Sequence, residues 1–232
     1  MVKTRNFSNP RMVGNPVQAA RVYNSRGVDE LVFLDIFASQ QNRKINLKLV
    51  KDVIKECYMP VAIGGGINSI EDINDLLKIG ADKVVIKTKA LTDLEFIKKA
   101  VQFFGSQCIT IAVDVINKEN IYKIYNNIGL DLLLDDFIKN MEACDVGEYV
   151  LTSVDQDGMM SGFDITLIKS FENKTKKPLI AAGGGGKPEH YTELFTKTNI
   201  EAVGSASIFH FTQFTPLDIK QELLKYNIPV RI

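Results

Sequence analysis

The chain is poor in the residues that carry metal and redox chemistry. Its 232 residues include two histidines and three cysteines. Cys57, Cys108 and Cys144 form neither a Cys-x-x-Cys pair nor a Cys/His ligand spacing. They read as small buried thiols kept reduced in a cytoplasmic setting, and no metal is implied. His190 and His210 lie on or beside helical patterns, match no His-Glu-x-x-His motif or catalytic triad, and read as surface or helix-end residues. Neither sign of charge is in excess, with 28 Lys+Arg against 28 Asp+Glu. No broad basic face follows, so nucleic acid is not an expected partner. Long apolar runs are missing too. The longest, such as Leu31–Leu34 and Tyr149–Thr152, are strand-sized, so no membrane span is expected. The opening Met1-Val-Lys-Thr-Arg-Asn has no signal-peptide core. No Pro/Gly/Ser linker divides the chain, which reads as one domain, 1–232. No cofactor motif is present either: Gly186-Lys187 lacks the upstream glycine of a P-loop and is followed by Pro188.

What the chain does have is a regular alternation of apolar strand-like runs with amphipathic helical ones. Strands are expected at Glu30–Ile36, Val61–Ile63, Lys83–Ile86, Cys108–Val113, Tyr149–Thr152, Leu179–Ala182 and Ala202–Ser205. Helices are expected at Val17–Arg26, Asn46–Glu56, Ile70–Ile79, Asp93–Phe104, Leu132–Ala143, Ile165–Glu172, Glu189–Thr196 and Pro216–Lys225. Asn15-Pro16 reads as a cap with proline in the first helical position, and Ser69-Ile-Glu-Asp72 as a capping box. Nearly continuous apolar strands suit a parallel sheet buried on both faces. The expected fold is α/β, a (β/α)₈ barrel lacking its first strand. The polar opening Lys3–Pro10 reads as a strand-to-helix loop whose strand would lie upstream.

Two glycine runs stand at strand ends, Gly64-Gly65-Gly66 and Gly183-Gly184-Gly185-Gly186, about half a full barrel apart. Each precedes a helix start. Glycine lets backbone N–H groups approach a ligand, and a helix N-terminus favours an anion. The pair suggests a substrate with a phosphate at each end; the plainer reading is two tight turns. Active sites of parallel barrels lie at the strand C-terminal ends. The polar residues there are Asp35, Asp114, Thr152 and the segment Ser153–Gly158, with Ser205 and Ser207 closing the last strand. A carboxylate after an apolar strand suits proton transfer, Asp114 more than Asp35. Lys3 could hold an anionic substrate or act as an acid; read alone it is a solvated lysine.

Several segments, taken together, resemble the cyclase subunit family of imidazole glycerol phosphate synthase. They are Asp29–Ser39, Gly64-Gly-Gly-Ile67, Phe104-Gly-Ser-Gln107, Leu151–Gly158, Gly183–Lys187 and Ser207-Ile-Phe-His-Phe211. The resemblance runs from residue 1 to near 231. It implies a lyase of histidine biosynthesis that takes ammonia from a glutamine amidotransferase partner and acts on a substrate with two phosphates. It maps the family's strand-five aspartate to Asp114 and the lysine of its first loop to Lys3. One phosphate site would use Gly66 and Thr88, with Lys87 where the family usually has asparagine. The other would use Asp157, Gly158, Gly184, Ala206 and Ser207. The ammonia gate at the opposite barrel end maps to Glu30, Lys83 and Glu148, and its arginine has no counterpart.

Departures are also visible. The family's strand-one aspartate has no counterpart, Met159 stands where threonine is common, and the loop Asn117–Gly129 is short. The opening Val2-Lys-Thr-Arg-Asn-Phe looks more like a paralogous branch linked to acetamidino groups on surface-polysaccharide sugars. Three readings therefore stand: a histidine-type cyclase, an ammonia-delivery subunit for sugar amidination, and an inactive truncated barrel.

Overall fold

A computed structural model describes all 232 residues, Met1–Ile232. The expected alternation folds into seven parallel strands: β3 (Leu31–Leu34), β4 (Val61–Gly64), β5 (Lys83–Ile86), β6 (Ile109–Lys118), β8 (Glu148–Ser153), β9 (Leu179–Ala182) and β10 (Ala202–Gly204). They pair in the order β10-β9-β8-β6-β5-β4-β3, and no hydrogen bonds join the two outer strands. The sheet is curled and open, with helices between successive strands as right-handed parallel connections require.

Local chemistry sets the helix ends. In α1 (Pro16–Ser25), Asn15 accepts from the N–H groups of Val17 and Gln18. In α3 (Ile70–Lys78), Ser69 and Asp72 form the expected capping box. Helices α2 (Leu47–Ile54), α5 (Leu94–Phe104), α6 (Leu134–Glu142), α7 (Ile165–Glu172), α8 (Pro188–Lys197) and α10 (Pro216–Lys225) each turn one apolar stripe to the sheet. Val50 and Val53, Ile73 and Leu76, and Phe137, Ile138 and Met141 are buried in this way. All of these but Val53 join Ile63, Ile111, Tyr149 and Phe171 in one continuous core.

Five short elements depart from the expected reading. The opening segment is a two-stranded hairpin, β1 (Val2–Arg5) with β2 (Ser8–Met12). β6 runs on past Asp114 and pairs antiparallel with β7 (Ile121–Ile124), so the segment read as a loop is itself a hairpin. One-turn helices α4 (Thr88–Thr92) and α9 (Ser207–Phe211) follow β5 and β10. An open cavity of about 2170 Å³ runs along the inner face of the curl, from Glu30 and Glu148 at the strand starts to Asp114 and Asp157 at the strand ends. Along β8 the cavity-lining residues are Glu148, Val150 and Thr152, the alternation expected of a strand.

Candidate functional site

Asp114 lies on β6, opposite Thr152 of β8 in the sheet register, and is 8% exposed. Its carboxylate has one side-chain partner, the ammonium of Lys87, which follows β5. The same ammonium stands over two aromatic rings, 5.6 Å from the centre of Phe7 and 5.5 Å from that of Tyr125. Phe7 and Tyr125 meet edge to face at 5.4 Å, and the Tyr125 N–H donates to the Asp114 carbonyl at 2.8 Å. Phe7 forms part of the turn of the opening hairpin, held by left-handed backbone at Asn6 and Phe7. The sequence reading singled out neither Phe7 nor Tyr125.

The hairpin lies across the loop after β8. The Thr4 hydroxyl donates to Asp157 at 3.0 Å, and the Asn6 N–H donates to the Asp157 carbonyl at 3.0 Å. Gly158 has φ +73°, and a Cβ there would collide with the Thr4 carbonyl. A glycine is what allows the hairpin this close. Lys3 places its ammonium 4.0 Å from the Phe211 ring centre and 3.9 Å from the Met160 sulfur. Burial, then the charges of Arg5 and Arg11, pull the Lys3 ammonium below its usual range, while Asp157 opposes them. Burial and the nearby Asp114 charge push Asp157 above the ordinary carboxylate range, against the Thr4 hydrogen bond.

Two groups of backbone donors flank this centre. At the first, the N–H groups of Gly65, Gly66 and Ile67 donate to no protein acceptor. Asp72 accepts from Asn68 and Ser69, which holds the loop in shape. Gly66 has φ +68° and lies against the Arg43 carbonyl and the Ala38 side chain, leaving no room for a Cβ. The N-terminus of α4, at Thr88, has no side-chain cap. At the second, the N–H groups of Gly184, Gly185, Ala206 and Ser207 are likewise unclaimed by protein. Gly184, at φ +114°, packs directly on the Gly162 carbonyl, so the run is also a tight turn. The glycines therefore satisfy the packing reading and leave donors free. The Gly186 N–H donates to His190 Nδ1 at 3.2 Å, so that histidine holds the loop. His210 lies at a helix end, in the last turn of α9, half-buried and 2.8 Å from the Tyr23 hydroxyl.

Asp35 is occupied locally. It accepts from the N–H groups of Phe37 at 3.2 Å and Ala38 at 3.1 Å, and its carboxylate pairs with both terminal nitrogens of Arg43. Lys87, which the resemblance assigns to the first phosphate site, makes its ion pair with Asp114. At the other end of the cavity, the Lys83 ammonium lies 2.9 Å from Glu148 and 3.2 Å from Glu30. Thr110 also donates to Glu148, at 2.7 Å. Burial disfavours the Lys83 charge, but the two carboxylates outweigh it and raise the ammonium above its usual range. The three residues that the resemblance assigns to the ammonia gate thus meet through the Lys83 ammonium. No group of His, Cys, Asp and Glu forms a candidate metal cluster, and no helix is long and apolar enough to cross a membrane.

Comparison with known proteins points to one family. The model of the family described as histidine biosynthesis protein matches residues 1–215. A Campylobacter jejuni protein provisionally named imidazole glycerol phosphate synthase subunit hisF2 is 42% identical over 238 residues, covering 100% of this chain and 93% of the relative. The imidazole glycerol phosphate synthase subunit HisF of Thermococcus onnurineus is 41% identical, with the same coverage. That of Staphylococcus saprophyticus is 40% identical and is covered to 94%.

Proposed function

The chain belongs to the histidine biosynthesis protein family that includes the HisF subunits of imidazole glycerol phosphate synthase, and from that premise we propose that it is a cyclase subunit of this type. It takes ammonia from a glutamine amidotransferase partner and joins it to a substrate carrying a phosphate at each end. The observation that carries this reading is the placement of one buried carboxylate, Asp114, between two loops with free backbone N–H groups. Those N–H groups hold the phosphates, as donors at glycine loops and helix starts do. Asp114 takes and returns protons at the reacting nitrogen and carbon atoms, the work of a positioned acid–base group. Lys3 screens the charge at the second phosphate end. Ammonia enters past Glu30, Lys83 and Glu148 and crosses the cavity that joins this ring to Asp114. The curled sheet of seven parallel strands, with β10 and β3 at its two edges, supports a fold of the (β/α)₈-barrel type. Three free cysteines fit a cytoplasmic setting.

Two observations favour a second reading, the branch that delivers ammonia for amidination of surface sugars. Asp114 is neutralised by Lys87, a cation where the family usually has asparagine, and one relative carries the name hisF2. Growth of a histidine auxotroph lacking its own cyclase subunit separates the two. Rescue by this chain, co-expressed with its genomic amidotransferase neighbour, supports the histidine-type reading. Failure to rescue, by a chain that is folded and complexed, refutes the histidine-type reading.

A further inference from the structure

Lys87 has a role that the phosphate assignment does not cover. Its ammonium is the only side-chain group bonded to Asp114, and Asp114 is its only ion-pair partner. The Lys87 side chain is 29% exposed and that of Asp114 11%, so the pair is largely removed from water. A carboxylate this buried, without a cation beside it, would carry an uncompensated desolvation cost. The cation also lies near the faces of two rings from separate segments. Phe7 comes from the opening hairpin and Tyr125 from the turn after β7. The strand end β5, the carboxylate on β6 and the hairpin above both are therefore joined at one nitrogen.

We propose that Lys87 is a positioning residue of this site: it fixes the Asp114 carboxylate by an ion pair and, through Phe7 and Tyr125, seats the Val2–Met12 hairpin over that carboxylate. The service to catalysis rests on the cyclase reading above; the seating of the hairpin does not. The ion pair directs the Asp114 carboxylate toward the cavity. The hairpin brings with it Lys3 and Thr4, and Thr4 in turn holds Asp157. Lys87 thereby couples closure of the hairpin to the arrangement of the two central carboxylates.

Hydrogen exchange of the Val2–Met12 amides in the full chain tests this, alongside titration with inorganic phosphate and ammonium-dependent turnover. Lys87→Met removes the charge and keeps the length. It should speed exchange of the hairpin amides roughly 5–30-fold, the effect of losing two cation–π contacts and an ion pair. It should leave phosphate affinity at the Gly66–Thr88 loop unchanged and lower kcat more than it raises KM. Lys87→Arg, which keeps both the charge and the stacking, should restore hairpin protection. Phe7→Leu leaves the ion pair intact and should loosen the hairpin by about half as much in logarithmic terms, which decides the matter if Lys87→Met fails to fold. Unchanged hairpin exchange in both Lys87→Met and Phe7→Leu overturns the proposal. A tenfold loss of phosphate affinity with unchanged exchange also overturns it and makes Lys87 a phosphate ligand. Faster exchange in a chain whose parent shows no ammonium-dependent turnover upholds the seating role and refutes the cyclase reading instead.

Discussion

Lys83→Met is the perturbation whose consequences the structure defines most fully. Lys83 is 22% exposed at its side chain, and its partner Glu148 is 14% exposed. Removing the ammonium leaves Glu148 with one donor, Thr110, at 2.7 Å. Orphaning a half-buried charge costs about 1–3 kcal/mol, below the 3–5 of a wholly buried pair. For a chain of this length that is a fall in Tm of roughly 2–12 °C. Lys83→Met/Glu148→Gln should recover most of the loss, because the neutral amide no longer needs a counter-charge. The pH dependence has a definite sign. The folded protein holds the Lys83 proton more tightly than the unfolded chain. Its contribution is therefore complete below the unfolded lysine pKa, about 10.4, and fades as pH rises through the folded value. The parent and Lys83→Met should differ by a constant amount from pH 7 to 9 and converge at higher pH. In a complex with the amidotransferase, the variant should hydrolyse glutamine without matching product formation. A melting curve within 1 °C of the parent, together with intact coupling, would refute both the stability and the gate arguments.

Three further outcomes follow from the strand-end site. Asp114→Asn keeps the shape, removes the proton acceptor and leaves Lys87 without its counter-ion; ammonium-dependent turnover should fall about 10²–10⁴-fold, measured on a chain still folded by circular dichroism. Asp157→Asn should raise Tm at pH 7 and have no effect near pH 3, because burial raises the carboxyl's pKa in the folded state and its charged form opposes folding; equal effects at both pH values would contradict this. Gly184→Ala places a Cβ on the Gly162 carbonyl at φ +114°; it should lower Tm by several degrees and weaken phosphate binding at the second loop while sparing the Gly66 loop, as read by phosphorus NMR titration.

The sheet was legible because its strands are apolar runs and its helices start on recognisable caps, such as Asn15 and Ser69–Asp72. Elements without an apolar stripe were not. Every residue of β2, Ser8–Met12, is exposed, and the hairpin's turn depends on left-handed Asn6 and Phe7, which no periodicity announces. The β6–β7 turn was hidden as well: Glu119 and Asn120 both take positive φ, but the pair lacks the glycine that marks a tight hairpin in sequence. Helices α4 and α9, of five residues each, are too short to show a helical period. At the site, the apolar run before Asp114 put that residue on a strand, though the strand runs on to Lys118 rather than ending there, and resemblance named Glu30, Lys83 and Glu148, which meet through the Lys83 ammonium. Neither could show that Asp35 is occupied by Arg43, or that Lys87 spans to Asp114, because both depend on side-chain direction. Phe7 and Tyr125 are 118 residues apart and meet only in the folded chain.

The central claim is that ammonia and a substrate with two phosphates meet at Asp114. Incubating the full chain with nitrogen-15 ammonium and the double-phosphate substrate of the family tests it directly. The account predicts nitrogen-15 in a newly closed ring of the product, abolished by Asp114→Asn. Substrate bound at both glycine loops yet recovered unchanged, with no label incorporated, would contradict it.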